Sequence, residues 1–592
     1  MTIARRIELL RERMTEHGLA AYVIPSSDPH QSEYPPDHWK SRQWISGFEG
    51  SAGTVVVTHE HAGLWTDSRY YLEAEEVLAD TPLELFRAGQ PEVPAYVDWL
   101  SKTLAAGSRV GYDAAVLSLD TARSLEAGLA HAGVEAVASQ DLVGMIRQDR
   151  PPLPSEPAEL IEDRVFGEAR ESRLARIREA MLRDGAGVHV IASLDDIAWA
   201  LNLRGADVSY NPVVLAYLVI ETEQAILFMD PAKLSDYHRS ALTRLGVRVR
   251  DYERIDEYLR SLPAGSSVLY DPARVSVRLA AEIPHEVTVV EKQNPSTAFK
   301  ARKNRTELEH LRSCMVTDGI AMTRFLHWLE ATAPAGGLTE LDVARRIGEL
   351  RGEAPDFVGP SFETIAGYGE HGAVIHYRVT EQSNAALRPG SVLLLDSGGQ
   401  YRSGTTDITR TVPIGEVEEQ IRTDFTLVLK AHIALAATVF PAGTTGHQLD
   451  AVPRRPMWEA GTNYGHGTGH GVGFYLNVHE GPQRISPMPN SVALEPGMLI
   501  SNEPGLYRAG GWGIRIENLV VVVEDRETDF GRFLRFETLT LCPIERSLID
   551  TGLLTAEERR WIDAYHTRVR ERLEGGLEEP VRSWLHEKTR PL

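Results

Sequence analysis

The stretch SVLLLDSGGQYRSGTTDITRT, residues 391–411, predicts two neighbouring strands joined by a polar turn. Asp396 ends the apolar run of the first strand, and Asp407 starts the second strand 11 residues later. A Gly/Ser turn between such strands would place both carboxylates side by side. Adjacent buried carboxylates repel each other, and a bound cation removes that cost. Two ordinary turn aspartates would give the same local pattern, so this pair alone leaves both interpretations open.

Three histidines follow in the glycine-rich stretch YGHGTGHGVGFYLNVHEGP, residues 464–482. His466, His470 and His479 lie in or just after a run with five glycines between Gly465 and Gly473. Glycine lets the backbone approach a ligand closely, and neutral imidazole is a metal ligand or a proton carrier. The alternative is a glycine-rich loop with incidental histidines, against which three histidines within 14 residues count.

Two glutamates also lie in sequence settings that are unusual for an acidic residue. Glu503, in GMLISNEPGLY (497–507), follows an apolar strand and precedes Pro-Gly, which predicts an acid at a strand end. Glu517 is predicted to lie inside the last strand of the chain, GIRIENLVVVVE (513–524), among apolar neighbours. A charge in such a place needs a partner. The alternative to a functional role is a structural salt bridge, for example to Arg515.

Together these residues form the series Asp, Asp, His, Glu, Glu. Four carboxylates and one imidazole are enough to hold two divalent ions, with some carboxylates bridging. One histidine among four acids is an oxygen-rich ligand set, which favours Mn²⁺, with Zn²⁺, Co²⁺ or Fe²⁺ as alternatives. The chain contains no H-E-x-x-H, P-loop or G-x-S-x-G motif, which argues against zincins, P-loop enzymes and the usual serine hydrolases.

The 592 residues divide into three regions by pattern. We expect an α/β domain over residues 1–157, a second α/β domain over 158–295 and an α+β domain over 296–592. The proline-rich stretch DRPPLPSEPAE, residues 149–159, is the candidate linker. In the third region we expect a long helix over 306–332, a helix from Leu338 with a Thr339/Asp342 capping box, and a closing helix over 555–573 with a Thr555/Glu558 capping box.

The second region resembles a repeat of the first. VHVIASLDDIAWALNLRG (188–205) follows the order of AYVIPSSDPHQSEYPPDHWKSRQWISGF (21–48): a strand, a polar turn, a Trp-bearing helix and a glycine. AILFMDPAK (225–233) then lies where GLWTDSRYY (63–71) lies in the first region. We therefore predict a duplicated fold, in which Trp39, Trp44 and Trp65 are core residues.

Composition restricts the partners and the compartment. The 62 basic and 84 acidic residues give a net charge of −22, which argues against binding to nucleic acid or to anionic membranes. Only two cysteines occur, Cys314 and Cys542, so neither a disulfide framework nor a Cys-based zinc site is expected. The N-terminal stretch is a charged amphipathic helix pattern with no apolar core of a signal peptide, and we expect a cytoplasmic protein.

The motifs DSGGQYRSGTTDITRT, HGTGHGVG, LNVHEGP, NEPGLY and GIRIEN resemble those of the aminopeptidase P family, in its long, three-domain cytosolic form. The resemblance covers essentially the whole chain. It implies two creatinase-like α/β domains, duplicated, before a pita-bread catalytic domain of α+β type. It also implies that Asp407 and Glu517 bridge two divalent ions, that Asp396 completes one ion, and that His470 and Glu503 complete the other.

The resemblance further implies substrate contacts. His376, in AVIHYRV (373–379), and His479 are expected near the scissile bond and its oxyanion, and His466 is expected to line the proline pocket. Arg515 is counted among the substrate-binding residues. Glu503 is expected to act as the general base. Arg378 departs from the family's usual sequence beside His376, which leaves local substrate contacts open there.

The function implied is removal of the N-terminal residue from short peptides with proline in second position, by a homodimer. One alternative is a prolidase-like dipeptidase, which usually has one N-terminal domain rather than two. A methionine aminopeptidase would not need the N-terminal regions. The alternative from another class is a metal-free, peptide-binding pseudoenzyme, against which the intact ligand set counts.

Overall fold

The computed structural model describes residues 1–592, except for the side chain of Leu72. The chain divides into two units, one formed by Met1–Arg164 with Glu168–Thr297 and the other by Val165–Gly167 with Ala298–Leu592. Two short helices, Asp163–Phe166 and Pro295–Ala301, lie where the chain passes between them. The boundaries expected after residues 157 and 295 stay predictions.

No helix in the described part of the chain is both long enough and apolar enough to cross a membrane.

The first unit contains two six-stranded sheets and a two-stranded pair of β7 with β9. The strands are β1 (Ala21–Ile24), β2 (Thr54–Thr58), β3 (Ala62–Thr66), β4 (Glu84–Arg87), β5 (Arg109–Asp113), β6 (Glu135–Ser139), β7 (Glu159–Leu160), β8 (Val188–Ile191), β9 (Leu203–Arg204), β10 (Tyr217–Glu221), β11 (Ala225–Phe228), β12 (Val247–Arg250), β13 (Ser267–Tyr270) and β14 (Thr288–Glu291). The main helices are Ile3–Glu16, Ser41–Ser46, Tyr71–Leu78, Tyr96–Thr103, Leu119–Ala130, Leu142–Ile146, Arg170–Arg183, Leu194–Leu201, Asp236–Arg244, Ile255–Arg260 and Val277–Ala281.

The two large sheets share one topology. Their strand orders are β4-β3-β2-β1-β5-β6 and β12-β11-β10-β8-β13-β14. In both, the first strand is antiparallel to the second and parallel to the fifth, and the outer strands pair in parallel. The stretches from 63 and from 225 both supply the third strand, β3 and β11, so the predicted duplication is confirmed. Trp39, Trp44 and Trp65 are buried in this unit, as predicted.

The second unit carries the acids and histidines singled out above. Its strands are β15 (Phe357–Pro360), β16 (Ile365–Tyr368), β17 (Ser391–Ser397), β18 (Gly399–Tyr401), β19 (Gly404–Thr405), β20 (Ile408–Ile414), β21 (Val439–Pro441), β22 (Gly469–Gly471), β23 (Glu480–Ile485), β24 (Leu499–Asn502), β25 (Gly505–Arg508), β26 (Trp512–Arg515), β27 (Asn518–Thr528) and β28 (Gly531–Thr538). Its helices are Arg305–Thr332, Glu340–Gly352, Glu419–Ala436, Gly446–Leu449, Ala451–Glu459, Ala556–Leu573 and Val581–Lys588. The sheets run β15-β18-β19, β16-β17-β20, β21-β28-β27-β24-β22-β23 and β25-β26.

The helix starts in this unit follow the predicted capping. Thr339 and Thr555 each accept a hydrogen bond from the N–H three residues later, and Asp342 and Glu558 each reach back to the cap. These reciprocal bonds satisfy N–H groups that a helix start leaves open. The helix expected from Leu338 therefore begins at Glu340, after its cap.

One strand prediction is wrong in a way that matters for the site. GIRIENLVVVVE is not one strand, since β26 ends at Arg515, β27 begins at Asn518, and the two belong to different sheets. Nor is it the last strand, because β28 follows. The break is held by the N–H of Glu517, which donates to the carbonyl of Thr409 at 3.1 Å. Glu517 thus sits between two sheets, beside β20.

Candidate metal centre

Two paired strands bring the aspartates together. β17 and β20 are antiparallel, with Asp396 opposite Thr409 and Ser397 opposite Ile408. Asp407 directly precedes β20. Both aspartates are buried. The predicted pairing of the two strands is confirmed, but the residues between them form β18 and β19 of another sheet instead of a simple Gly/Ser turn.

His470 lies in β22, and Glu503 directly follows β24, the strand that pairs with β22. Ser501 joins them, because its hydroxyl accepts the His470 N–H at 2.9 Å and donates to Glu503 Oε1 at 3.0 Å. The His470 Nδ1–H donates to the Gly471 carbonyl at 2.9 Å, which leaves Nε2 as the ligand atom. Nε2 lies 3.4 Å from Asp407 Oδ2 and 3.4 Å from Glu503 Oε1.

Glu517 completes a close group. Its Oε2 accepts the Thr409 hydroxyl at 2.8 Å. One ligand atom each of Asp407, His470 and Glu517 lies within 4.8 Å of the other two. We call Asp396, Asp407, His470, Glu503 and Glu517 the metal centre.

Asp396 is held from one side by Arg515. Arg515 Nη2 donates to Asp396 Oδ2 at 2.6 Å, its Nε to the Thr409 hydroxyl at 3.1 Å and its Nη1 to the Tyr507 hydroxyl at 2.8 Å. Arg515 therefore pairs with Asp396 and not with the nearer-in-sequence Glu517. Among the described residues, no donor reaches Asp396 Oδ1, although that oxygen is buried.

The electrostatics of the metal centre are unbalanced without a cation. Burial raises the pKa of Asp396, Glu503 and Glu517, and repulsion from neighbouring carboxylates raises each of these pKa values further. Burial lowers the pKa of His470, but Asp407 and Glu503 outweigh it and bring that pKa to about 9. Three buried acids and the partly exposed Glu503 have only Arg515 and the His470 imidazole as cationic partners. The bare Asp396 oxygen and this excess of negative charge fit divalent ions with oxygen and imidazole ligands.

Two of the predicted substrate histidines, His479 and His466, are linked to this centre by contacts. The His479 ring is 4.4 Å from the His470 ring, edge to face. The Nδ1–H of His466 donates to the Gly467 carbonyl at 2.8 Å, and its Nε2 accepts the Tyr507 hydroxyl at 2.8 Å. A chain of hydrogen bonds therefore runs from Asp396 through Arg515 and Tyr507 to His466.

His376 occupies a turn, partly buried, after the 3₁₀ helix Gly369–Ala373. That helix packs on β26, so tightly that a Cβ at Gly513 would lie 1.6 Å from the Gly372 carbonyl oxygen. The segment of His376 is thus anchored to the strand that carries Arg515. A contact of His376 with the oxyanion stays a prediction.

The glycines beside His470 serve packing. A Cβ on Gly469 would lie 1.9 Å from the Ser501 carbonyl oxygen, and a Cβ on Gly471 would lie 2.2 Å from that of Glu480. β22 fits between β23 and β24 because these residues have no side chain.

Sequence reasoning missed three residues that hold the metal centre: Thr409, Ser501 and Tyr507. A signal existed for two of them. Thr409 lies two residues after Asp407 and Ser501 two before Glu503, which is the spacing that puts side chains on one face of a strand.

Family models match the chain in four parts. The Creatinase/Prolidase N-terminal domain matches at residues 6–149 and again, in a second model, at 149–307. Metallopeptidase family M24 matches residues 309–524, and the C-terminal region of that peptidase family matches 532–592.

Full-length relatives agree with these matches. A probable Xaa-Pro aminopeptidase P of Laccaria bicolor is 40% identical over 99% of this chain and 93% of its own length. Aminopeptidase P2 of Arabidopsis thaliana is 40% identical over 100% of this chain and 89% of its own length. The chain belongs to the aminopeptidase P family.

A solved structure extends the likeness to the fold. The X-prolyl aminopeptidase of Caenorhabditis elegans, described as a cytosolic enzyme with a di-nuclear active site, has a TM-score of 0.95, 34% identity and full coverage of both chains. The predicted fold class, two creatinase-type domains before a catalytic domain of the M24 type, is confirmed, and so is the identification as a metallopeptidase.

Proposed function

We propose that this member of the aminopeptidase P family removes the N-terminal residue from peptides with proline in second position. The observation that carries the proposal is the convergence of Asp407, His470 and Glu517 within 4.8 Å, with Asp396 and Glu503 beside them. The names of the full-length relatives support the same reaction.

Two divalent ions would be held by the metal centre, with Asp407 and Glu517 bridging, Asp396 on one ion, and His470 with Glu503 on the other. When bound, such ions supply Lewis acidity and make a water acidic near neutral pH. Mn²⁺ is the ion we propose, because the ligand set is rich in oxygen.

The chain's own groups have separate roles in this proposal. Glu503, whose pKa is raised by burial, moves a proton as general base. His376 and His479 stabilise the oxyanion that forms on the scissile carbonyl. Arg515 holds Asp396 in place. Arg515 was also expected to bind substrate, but its guanidinium is buried and already donates to three side chains, so we propose that it acts on substrate through Asp396.

Selectivity for proline has to come from shape. Proline has no N–H to donate, so a pocket must recognise the fixed ring. We propose that His466 lines this pocket, held by Tyr507 and the Gly467 carbonyl. Tyr475 and Val478, both buried in the loop before His479, are candidates for its walls.

The test measures cleavage of three peptides, X-Pro-Y, X-Ala-Y and X-Pro, by the purified protein after it has been stripped of metal and then loaded with Mn²⁺. We expect release of the first residue from an X-Pro-Y tripeptide, and much slower release from X-Ala-Y. The Glu503→Ala variant should release the first residue from neither of these two peptides. Absence of release by the Mn²⁺-loaded wild type would overturn the proposal.

The dipeptide X-Pro separates this proposal from a prolidase-like enzyme. Faster cleavage of X-Pro than of X-Pro-Y would favour the dipeptidase, and bound metal without any cleavage would favour a peptide-binding pseudoenzyme. We also propose a cytoplasmic location, a homodimer and the three-domain division at residues 157 and 295. Light scattering of the purified protein tests the dimer.

A further inference from the structure

One buried carboxylate, that of Glu340, organises the segment that carries His376. Glu340 is the first residue of its helix and is 0% exposed. Its two oxygens accept hydrogen bonds from four donors: the Tyr368 N–H (2.7 Å), His371 Nδ1 (2.8 Å), the Tyr377 hydroxyl (2.8 Å) and the Ala385 N–H (2.9 Å). These donors span residues 368–385, and His376 lies between them.

The start of the helix is also fastened to the far end of this segment by its backbone. The Glu340 N–H donates to the Ala385 carbonyl at 3.1 Å, and the Leu341 N–H donates to Asn384 Oδ1 at 3.1 Å. Thr339 forms an isolated β-bridge with Ala386. The carboxylate therefore lies at the centre of a loop whose exit is fixed to the same helix.

Tyr377 connects this centre to His376, which directly precedes it in the chain. Its ring is buried in a cluster with Ile365 and Leu394, and it stacks on His371 with ring centroids 4.5 Å apart. Its hydroxyl reaches Glu340. Because both the ring and the hydroxyl of Tyr377 are fixed, the backbone at His376 has little freedom.

We propose that Glu340 is a positioning residue for His376, which it holds, through Tyr377 and His371, where the imidazole can meet the oxyanion. The inference rests on the proposed function. A carboxylate can accept all four donors, whereas the amide of a glutamine would turn two of its own donors toward some of them. A side chain that merely stabilised the fold would act on activity independently of His376.

The experiment is a double-mutant cycle with Glu340→Gln and His376→Ala in the Mn²⁺-loaded enzyme. Loss of an oxyanion donor costs roughly 10²–10³-fold in kcat, so that range is expected for His376→Ala. Misplacement by an ångström costs on the order of 10²-fold, which is expected for Glu340→Gln with a smaller change in KM. The double variant should be no slower than His376→Ala alone, whereas losses that multiply would overturn the proposal.

Two further variants guard against a folding defect. Tyr377→Phe keeps the buried ring and removes one donor, and its effect on kcat should also vanish in the His376→Ala background. Glu349→Gln changes an exposed acid on the same helix and should leave kcat unchanged. Metal content should match the wild type in every variant.

Hydrogen–deuterium exchange gives a readout that does not depend on activity. In Glu340→Gln, exchange should rise over residues 368–385 and stay unchanged over 391–411, where the aspartates lie. Unchanged exchange over 368–385 would overturn the inference even if the enzyme proved active. If the wild type failed to cleave X-Pro-Y, the proposed function would fail, while the exchange result would still decide whether Glu340 orders this segment.

Discussion

The metal centre and a buried ion pair of the first unit treat charge differently. In the first unit, Lys233 Nζ and Asp207 Oδ2 form an ion pair at 2.5 Å, with both side chains almost fully buried, so one cation meets one anion. In the second unit, the four carboxylates of the metal centre have only Arg515 and the imidazole of His470 as cationic partners. The Lys233–Asp207 pair is neutralised by the chain's own residues, whereas the metal centre keeps an excess of negative charge that the proposed divalent ions would balance.

A substitution in the metal centre is the most direct test of this contrast in buried charge. Asp407→Asn keeps the size of the side chain and removes the charge that would bridge two ions. We expect bound metal to fall and kcat/KM to drop by more than about 10³-fold, which corresponds to about 4 kcal/mol in the activation free energy. Metal analysis and the X-Pro-Y assay measure both. Glu524→Gln, at an exposed acid on β27, is the matched control and should change neither.

The ion pair of the first unit should respond in the opposite way. Lys233→Met leaves Asp207 buried without its cation and should lower the free energy of unfolding of this unit by about 3–5 kcal/mol. Metal content should not change. Lys292→Met removes a cation from an exposed pair with Asp184, and its effect should stay within about 1 kcal/mol. Denaturant unfolding checks both; equal effects would contradict the comparison.

The stabilising effect of bound metal should depend on pH, and this dependence gives a finer test of the charge balance in the metal centre. In the metal-free protein the raised pKa values of Glu503 and Glu517 mean that folding favours their protonated forms, so stability falls as pH rises through those values. The same sign holds for His470, whose stabilising contribution is full below about 6.5 and is lost as pH rises through about 9. Bound divalent ions would remove both the loss of stability caused by the two glutamates and the loss caused by His470.

The gain in Tm on adding Mn²⁺ should therefore grow between pH 6 and pH 9, by an amount smaller than the effects above. Scanning fluorimetry with and without metal measures it, and Asp407→Asn should flatten the trend. A gain that stayed constant over this range, or shrank, would show that protons and ions do not compete for the site.

Local patterns predicted much of this architecture. The strand, turn and Trp-bearing helix that start at Ala21 and at Val188 have short-range signals, so the duplication could be read from the chain. The strand order could not be predicted, because β1 pairs with both β2 and β5 and no feature of its four residues specifies these partners. The pairing of the strands that carry the aspartates was predictable, since β17 and β20 are separated only by residues 398–407.

The contacts that hold the metal centre could not be predicted either, because they join residues that are far apart in the sequence. Arg515 lies two residues from Glu517, which made that acid the obvious partner, yet it pairs with Asp396, 119 residues away. The strand break at Ile516 and Glu517 carries no glycine or proline to mark it. It arises from a hydrogen bond to Thr409, more than 100 residues earlier in the chain.

The two glycines that flank His470 limit how this enzyme can diversify. Because a methyl group at either position would clash with a neighbouring carbonyl oxygen, no side chain can be added beside the imidazole unless the neighbouring strands move. New peptide preferences are expected to arise elsewhere, for example at the exposed Arg378 two residues after His376.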